Sequence, residues 1–313
     1  MIVDAHHHFL DPARIDYPFL RFLPELAHPL GADALAPLVR DAGVDATIAV
    51  QAADALDETA FLLGEAARAP WVAGVVGWVP LADPPAAARA LDRFAGPGSR
   101  LRGIRHLIHD EPDPDWVAQP RVLESLALLA ERGLAFDFSA FSTRHLAHVP
   151  TIAERVPGLD LVICHFGMPR VDLGEWEPWA SAFARAAEHA RCCVKISGLD
   201  LFLGGPDPAR IQRYVDHALA CFGPERMIWA SNWPVSQGGR RGRPQVPRSE
   251  PQASGDQPTR SEPQASEGGP PQWEARGYRE LLDAGRAVLA ACSAEQRVAV
   301  LGGTARRVYR LAL

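Results

Sequence analysis

Asp4, His6 and His8 stand two apart near the start of the chain, inside DAHHHFLDP. On a strand that spacing puts all three side chains on one face. Two imidazoles one pleat apart can chelate a divalent ion such as Zn2+, or hold an oxyanion when protonated. Further on, His165 ends the apolar run LVICH, and a polar pair, Ser231-Asn232, interrupts WASNWPV where packing alone does not call for one. The stretch LRGIRHLIHD adds Arg102, Arg105, His106 and Asp110. Strand alternation sets Arg102 and His106 on one face and Arg105 on the other. A guanidinium at the rim of a site can grip a carboxylate or a sugar-acid oxygen bidentately.

These residues sit at the ends of short apolar runs, and the runs alternate with longer amphipathic segments. Strands are expected at Ile2–His6, Thr47–Gln51, Val72–Val79, Leu101–Leu107, Ala135–Phe138, Leu161–His165, Cys193–Ser197 and Met227–Ser231. Helical spacing of apolar residues marks Val122–Glu131 and Ile211–Phe222, each stopped by a glycine. Ser293 and Gln296 form a capping-box pair that opens a late helix, expected to end at Gly302-Gly303. Eight mostly apolar strands alternating with helices predict an α/β fold with a parallel sheet buried on both faces. The count of eight favours a (β/α)8 TIM barrel over a doubly wound sheet, and no GxGxxG follows the first strand. A barrel gathers its catalytic groups at the C-terminal ends of its strands, where His8, His106, His165 and Asn232 fall.

A single barrel accounts for the whole of 1–313 apart from one stretch. Residues 237–272 are rich in Pro, Gly, Ser and Gln, carry Val246 as their one branched aliphatic residue, and repeat RSEPQAS at Arg248–Ser254 and Arg260–Ser266. Such a segment cannot bury enough apolar surface to offset its ordering entropy, so a disordered insert after the eighth strand is expected. A net charge of −6, with both signs mixed along the chain, argues against a nucleic-acid surface. The five cysteines lack metal-binding spacing and read as reduced thiols. MIVDAHHHF has neither the basic nor the apolar region of a secretory signal, and no run is long enough to span a membrane. A cytoplasmic enzyme acting on a small molecule is expected, with homo-oligomerisation left open.

The ordered set of motifs resembles the metal-dependent amidohydrolase superfamily, in its amidohydrolase-2 branch of sugar-acid lactonases and 2-pyrone-4,6-dicarboxylate lactonase. It comprises DAHHHFLDP, VVGWVPL at Val75–Leu81, LRGIRHLIHDEPDPDW at Leu101–Trp116, VICHFGMP at Val162–Pro169, VKISGL at Val194–Leu199, WASNWPV at Trp229–Val235 and LGGTARRVYRL at Leu301–Leu311. The resemblance implies a hydrolase that opens a lactone. His6 and His8 would be metal ligands, His165 a catalytic histidine, and Arg105 and His106 substrate-facing residues. One divalent ion is implied, with a metal-free route also open. Gln51 and Trp78, ending the second and third strands, can add a hydrogen bond and an apolar wall. Lys195 reads equally as the partner of an anionic substrate or of a structural acid. Asp137 reads as an inward-facing acid or a loop cap, and Trp176 and Trp179 more as packing than as a substrate platform.

Asn232 departs from the family, which places an acid there to move protons. An amide has no basicity near neutral pH. Three explanations follow: another base, with His165, His106 and Asp110 as candidates; a degenerate barrel that only binds its ligand; or an inactivated variant. Non-oxidative decarboxylation, known in the same branch, is the enzymatic alternative to lactone opening.

Overall fold

The computed structural model describes residues 1–203, 205–238 and 275–313. Eight parallel strands follow one another in chain order: β1 (Val3–His7), β2 (Ala46–Val50), β3 (Val72–Gly77), β4 (Leu101–His106), β5 (Ala135–Phe138), β6 (Leu161–Ile163), β7 (Cys192–Ile196) and β8 (Met227–Trp229). The ring is closed between β8 and β1, where Asn232 N donates to His6 O at 2.8 Å and His8 N to Trp233 O at 2.7 Å. The architecture is a (β/α)8 barrel, and the sequential strand order excludes the doubly wound alternative.

Nearly every strand residue is buried, because each strand has one face in the lumen and the other under helices. Small and β-branched side chains fill the narrow lumen: Val3, Ala5, Ala46, Ile48, Val76, Ala135, Val162 and Ile228. The C-terminal segment adds Val308, Tyr309 and Leu311 to the same cluster and plugs the barrel floor. Larger residues, among them Phe136, Phe138 and Trp229, face the surrounding helices.

The two helices expected from periodicity are present, beginning slightly earlier at Pro120 and Pro208, since proline suits the first helical turn. The Ser293–Gln296 capping box forms in both directions. The late helix does not stop at Gly302-Gly303. It passes through a π-helical turn at Ala299–Gly303 and resumes at Thr304–Val308. A Cβ on Gly302 would lie 2.7 Å from Met1 O, so glycine here permits close packing on the start of β1 rather than ending the helix.

The 237–272 stretch lies outside the described residues except for Gln237 and Gly238, whose backbone closes a short helix, Val235–Gly238. Among the described residues no helix is long and apolar enough to cross a membrane. All five cysteines are free.

Candidate active site

Strand alternation does not hold through β1. Val3 pairs with Ala46 and Asp4 with Thr47, but His7 pairs with Ala49, so one extra residue is inserted between Asp4 and His7. Such a bulge re-aims side chains. Asp4 therefore does not share a face with His6 and His8. It points outward, accepting from Ser231 N (2.8 Å), Ser231 Oγ (2.6 Å) and Tyr278 Oη (2.8 Å) on the helix Ala275–Val288. This buried carboxylate pins the β8 end, which carries Asn232, to the strand that carries both histidines.

His6 and His8 face the lumen with their Nε2 atoms 3.2 Å apart. His8 Nδ1 lies 2.8 Å from Val50 O and must donate to it, which leaves a lone pair on Nε2. Arg105 Nη1 stands 2.8 Å from His6 Nε2, and Lys195 Nζ 3.3 Å from His6 Nδ1. Lys195, fully buried, also donates to Ala5 O at 2.8 Å and to Asp137 Oδ2 at 2.5 Å. Tyr309 Oη completes that layer by donating to Asp137 Oδ1 at 2.6 Å. Lys195 is thus already ion-paired, and Asp137 faces the barrel interior rather than a loop.

His165 approaches from β6, its ring centroid 4.6 Å from that of His6. The strand ends at Ile163, and a left-handed turn follows, with φ of 53° at His165, 56° at Phe166 and 55° at Met168. Successive non-glycine residues in this region cost roughly 1–2 kcal/mol each, a strain of the kind that collects at functional sites. His165 Nδ1 lies 2.8 Å from Ser197 Oγ, and Nε2 has no protein partner among the described residues. Burial first, then the charges of Arg105 and Lys195, hold the His165 pKa well below the ordinary histidine value. Burial likewise lowers His6, and brings His8 to about 3. All three rings are therefore neutral near pH 7, and the protonated oxyanion-binding pair does not form.

Gly198 makes room for this turn. A Cβ there would fall 2.8 Å from both Cγ and Nδ1 of His165. Gly198→Ala is expected to displace the His165 ring, read as a shift of its imidazole NMR resonances, while the protein stays folded by circular dichroism.

Asn232 stands at the β8 end with φ of 55°, a conformation that asparagine and aspartate tolerate best. Its side chain hydrogen-bonds His8, and Nδ2 donates to Ser236 Oγ at 3.2 Å. Gln51 Nε2 donates to Arg105 O and to Asp54 Oδ1, both at 3.0 Å. Trp78 Nε1 donates to His106 Nδ1 at 2.9 Å, so the His106 Nε2 proton goes to Glu111 Oε1 at 2.7 Å. Trp116 stacks on the His106 ring at 3.9 Å and 13°.

Other candidates lie elsewhere. Asp110 is exposed on a 3-10 turn. Arg102 bonds Ser99 O and Leu101 O and lines a cavity of about 560 Å3 at the opposite end of the barrel, with Arg132 and Arg310. Trp176 and Trp179 pack against Tyr214 and His217, and Trp179 Nε1 donates to Phe166 O, a packing role. Sequence reasoning misses Asp54, Glu111, Trp116, Ser197 and Tyr309. Each except Asp54 lies in or beside a recognised motif, but its type alone does not distinguish it from a surface or core residue.

The amidohydrolase family model matches residues 3–311. The chain belongs to the amidohydrolase family. Among relatives of this amidohydrolase, the L-fucono-1,5-lactonase of Burkholderia ambifaria is 36% identical over 239 residues, 75% of this chain and 81% of that protein. The L-fucono-1,5-lactonase of Burkholderia multivorans is 34% identical over 248 residues, 74% of this chain and 82% of that protein. A crystal structure of a Burkholderia multivorans amidohydrolase with bound zinc superimposes with a TM-score of 0.78 at 30% identity, covering 99% of each chain.

Whether this amidohydrolase's own residues fit such an ion is a matter of donors and charge. The Nε2 spacing of His6 and His8 suits two ligands on one ion, since zinc–nitrogen bonds of about 2.0–2.1 Å put neighbouring nitrogens a little over 3 Å apart. The surroundings do not suit it. The Arg105 guanidinium occupies the approach to His6 Nε2, and Lys195 stands on the other side of the same ring. Asn232 offers a neutral amide where an acid would supply charge. His6, Asp137 and Cys164 can bring one ligand atom each within 4.8 Å, but Asp137 is held by Lys195 and Tyr309, and burial pushes the Cys164 thiol up to about 11. What opposes a divalent cation here is the placement of Arg105 and Lys195 around the His6 ring, not the spacing of the histidine donors.

Proposed function

We propose that the chain is a lactonase that opens the cyclic ester of a sugar acid, with Arg105 in the electrophilic role and His165 as the base. The convergence of Arg105, His6, His8 and His165 on one end of the lumen carries this reading, and the two L-fucono-1,5-lactonases among its relatives support the substrate class. The lactone carbonyl oxygen accepts from Arg105, whose positive charge offsets the negative charge that develops as water adds. His165 Nε2 takes a proton from that water, while Ser197 holds the opposite edge of the ring. The oxyanion forming beside it offsets the burial and cationic charge that hold the free ring neutral. The tetrahedral intermediate then collapses, the ring C–O bond breaks, and the imidazolium returns its proton to the departing alkoxide. An open-chain hydroxy acid is the product. Asn232, bonded to His8, positions rather than moves protons.

Acid release from six-carbon aldono-1,5-lactones, measured against the spontaneous rate in buffer, tests this reading. Catalysed release is expected. A wild-type protein that binds these lactones without accelerating their opening would leave a degenerate ligand-binding barrel. Decarboxylation has no comparable support, since the relatives at 36% and 34% identity are lactonases by name.

A further inference from the structure

Beside the Arg105 cluster lies a second group of polar side chains that the hydrolytic step does not use. Asp54 follows β2, Trp78 follows β3, His106 ends β4, and Glu111 and Trp116 lie in the loop after it. His106 is the hub: Trp78 fixes one ring nitrogen, Glu111 the other, and Trp116 covers one face. Asp54 Oδ2 is 3.4 Å from His106 Nδ1, and Asp54 also accepts from Leu107 N and Gln51 Nε2. The carboxylates of Asp54 and Glu111 are each 25% exposed at the C-terminal mouth of the barrel, while His106 is 6% exposed.

The group is rich in acceptors. Glu111 has no second protein donor among the described residues, and Gln51 Oε1 is buried without one. Two charged acceptors and an amide oxygen suit the O–H donors of vicinal hydroxyls. The cationic side is sparse. Lys195 is held by Asp137, which leaves Arg105 as the cation of the site without an acid partner among the described residues. One guanidinium without an acid partner cannot neutralise two carboxylates of a substrate.

We propose that Asp54, His106 and Glu111 form a hydroxyl-reading subsite that selects a neutral, polyhydroxylated lactone over a carboxylated one. This rests on the lactonase reading and adds the residues that choose the substrate. His106 holds Glu111 in place, and the carboxylates accept from the hydroxyls of the sugar portion.

The test compares wild type, Glu111→Gln and Asp54→Asn on three probes: an aldono-1,5-lactone, hydroxyl-free δ-valerolactone, and 2-pyrone-4,6-dicarboxylate. Wild type is expected to prefer the aldonolactone to the dicarboxylate by at least ~100-fold in kcat/KM. Each substitution is expected to lower the ratio of aldonolactone to δ-valerolactone kcat/KM by ~10-fold or more, mainly through KM, as loss of a charged hydrogen bond does. In Glu111→Gln the new amide oxygen can still accept from His106, so that variant keeps the hub intact. Calorimetry with an unreactive aldonolactam reads the subsite independently of turnover: binding by wild type that weakens ~10-fold in both variants upholds the subsite even if no lactone is opened, in which case the lactonase reading alone fails. An unchanged ratio with unchanged lactam affinity, or equal turnover of the dicarboxylate, overturns the subsite.

Discussion

Replacing His165 with asparagine is expected to lower kcat for lactone opening about 1000-fold, with a much smaller change in KM, because general-base catalysis supplies roughly 100- to 10,000-fold. His165 presents its unpartnered Nε2 beside the His6 ring, whereas His7, whose Nδ1 is also unpartnered, bonds Thr47 and packs on Phe9. His106 has both nitrogens engaged, and Asp110 is out on the surface. Asn232 sharpens the test. Aspartate tolerates its φ of 55°, so Asn232→Asp places a carboxylate beside His8 without backbone cost. In the His165→Asn background that second change is expected to recover about tenfold or more of the lost rate. Stopped-flow or pH-indicator assays of both variants decide it. If His165→Asn keeps its rate within about tenfold of wild type, the base lies elsewhere.

Dialysis against a strong chelator is expected to leave kcat/KM within about twofold, and added zinc to give no activation, whereas Arg105→Met lowers kcat/KM by about 100- to 1000-fold, the usual cost of losing a charge-stabilising donor. The two arms belong together. A guanidinium 2.8 Å from His6 Nε2 and a divalent ion bound to the same nitrogen compete for one lone pair. Metal analysis of wild type and variant reports which cation the site is built for. Loss of activity on chelation with recovery on zinc addition would transfer the electrophilic role to the metal and reject Arg105 in it. A related crystal structure holds zinc, so this measurement shows whether the chain shares that property.

Local pattern carries most of the fold. Each strand is visible as a short apolar run, because parallel strands buried on both faces cannot hide polar residues in their middles. Boundaries are less visible. The Leu161–His165 run reads as one strand, yet hydrogen bonding stops at Ile163, and His165 turns back into the lumen in a left-handed conformation that Gly198 leaves space for. Nothing in LVICH signals that turn, since the room for it comes from a residue 33 positions away, as 198 − 165 gives.

The histidine pair shows the division most clearly. Two imidazoles at one strand end, a third at another and an amide in place of an acid are determined by residue type and order alone, and so is the family. Which way each one points is not. Alternation places Asp4 with His6 and His8, but the extra residue in β1 turns Asp4 out to Ser231 and Tyr278 and leaves the two rings in the lumen. The neighbours that set their chemistry, Arg105, Lys195 and Asp137, arrive from β4, β7 and β5. Sequence spacing encodes direction within one strand; charge and proton affinity depend on what the closed barrel brings within a few ångströms, and only the tertiary structure decides that.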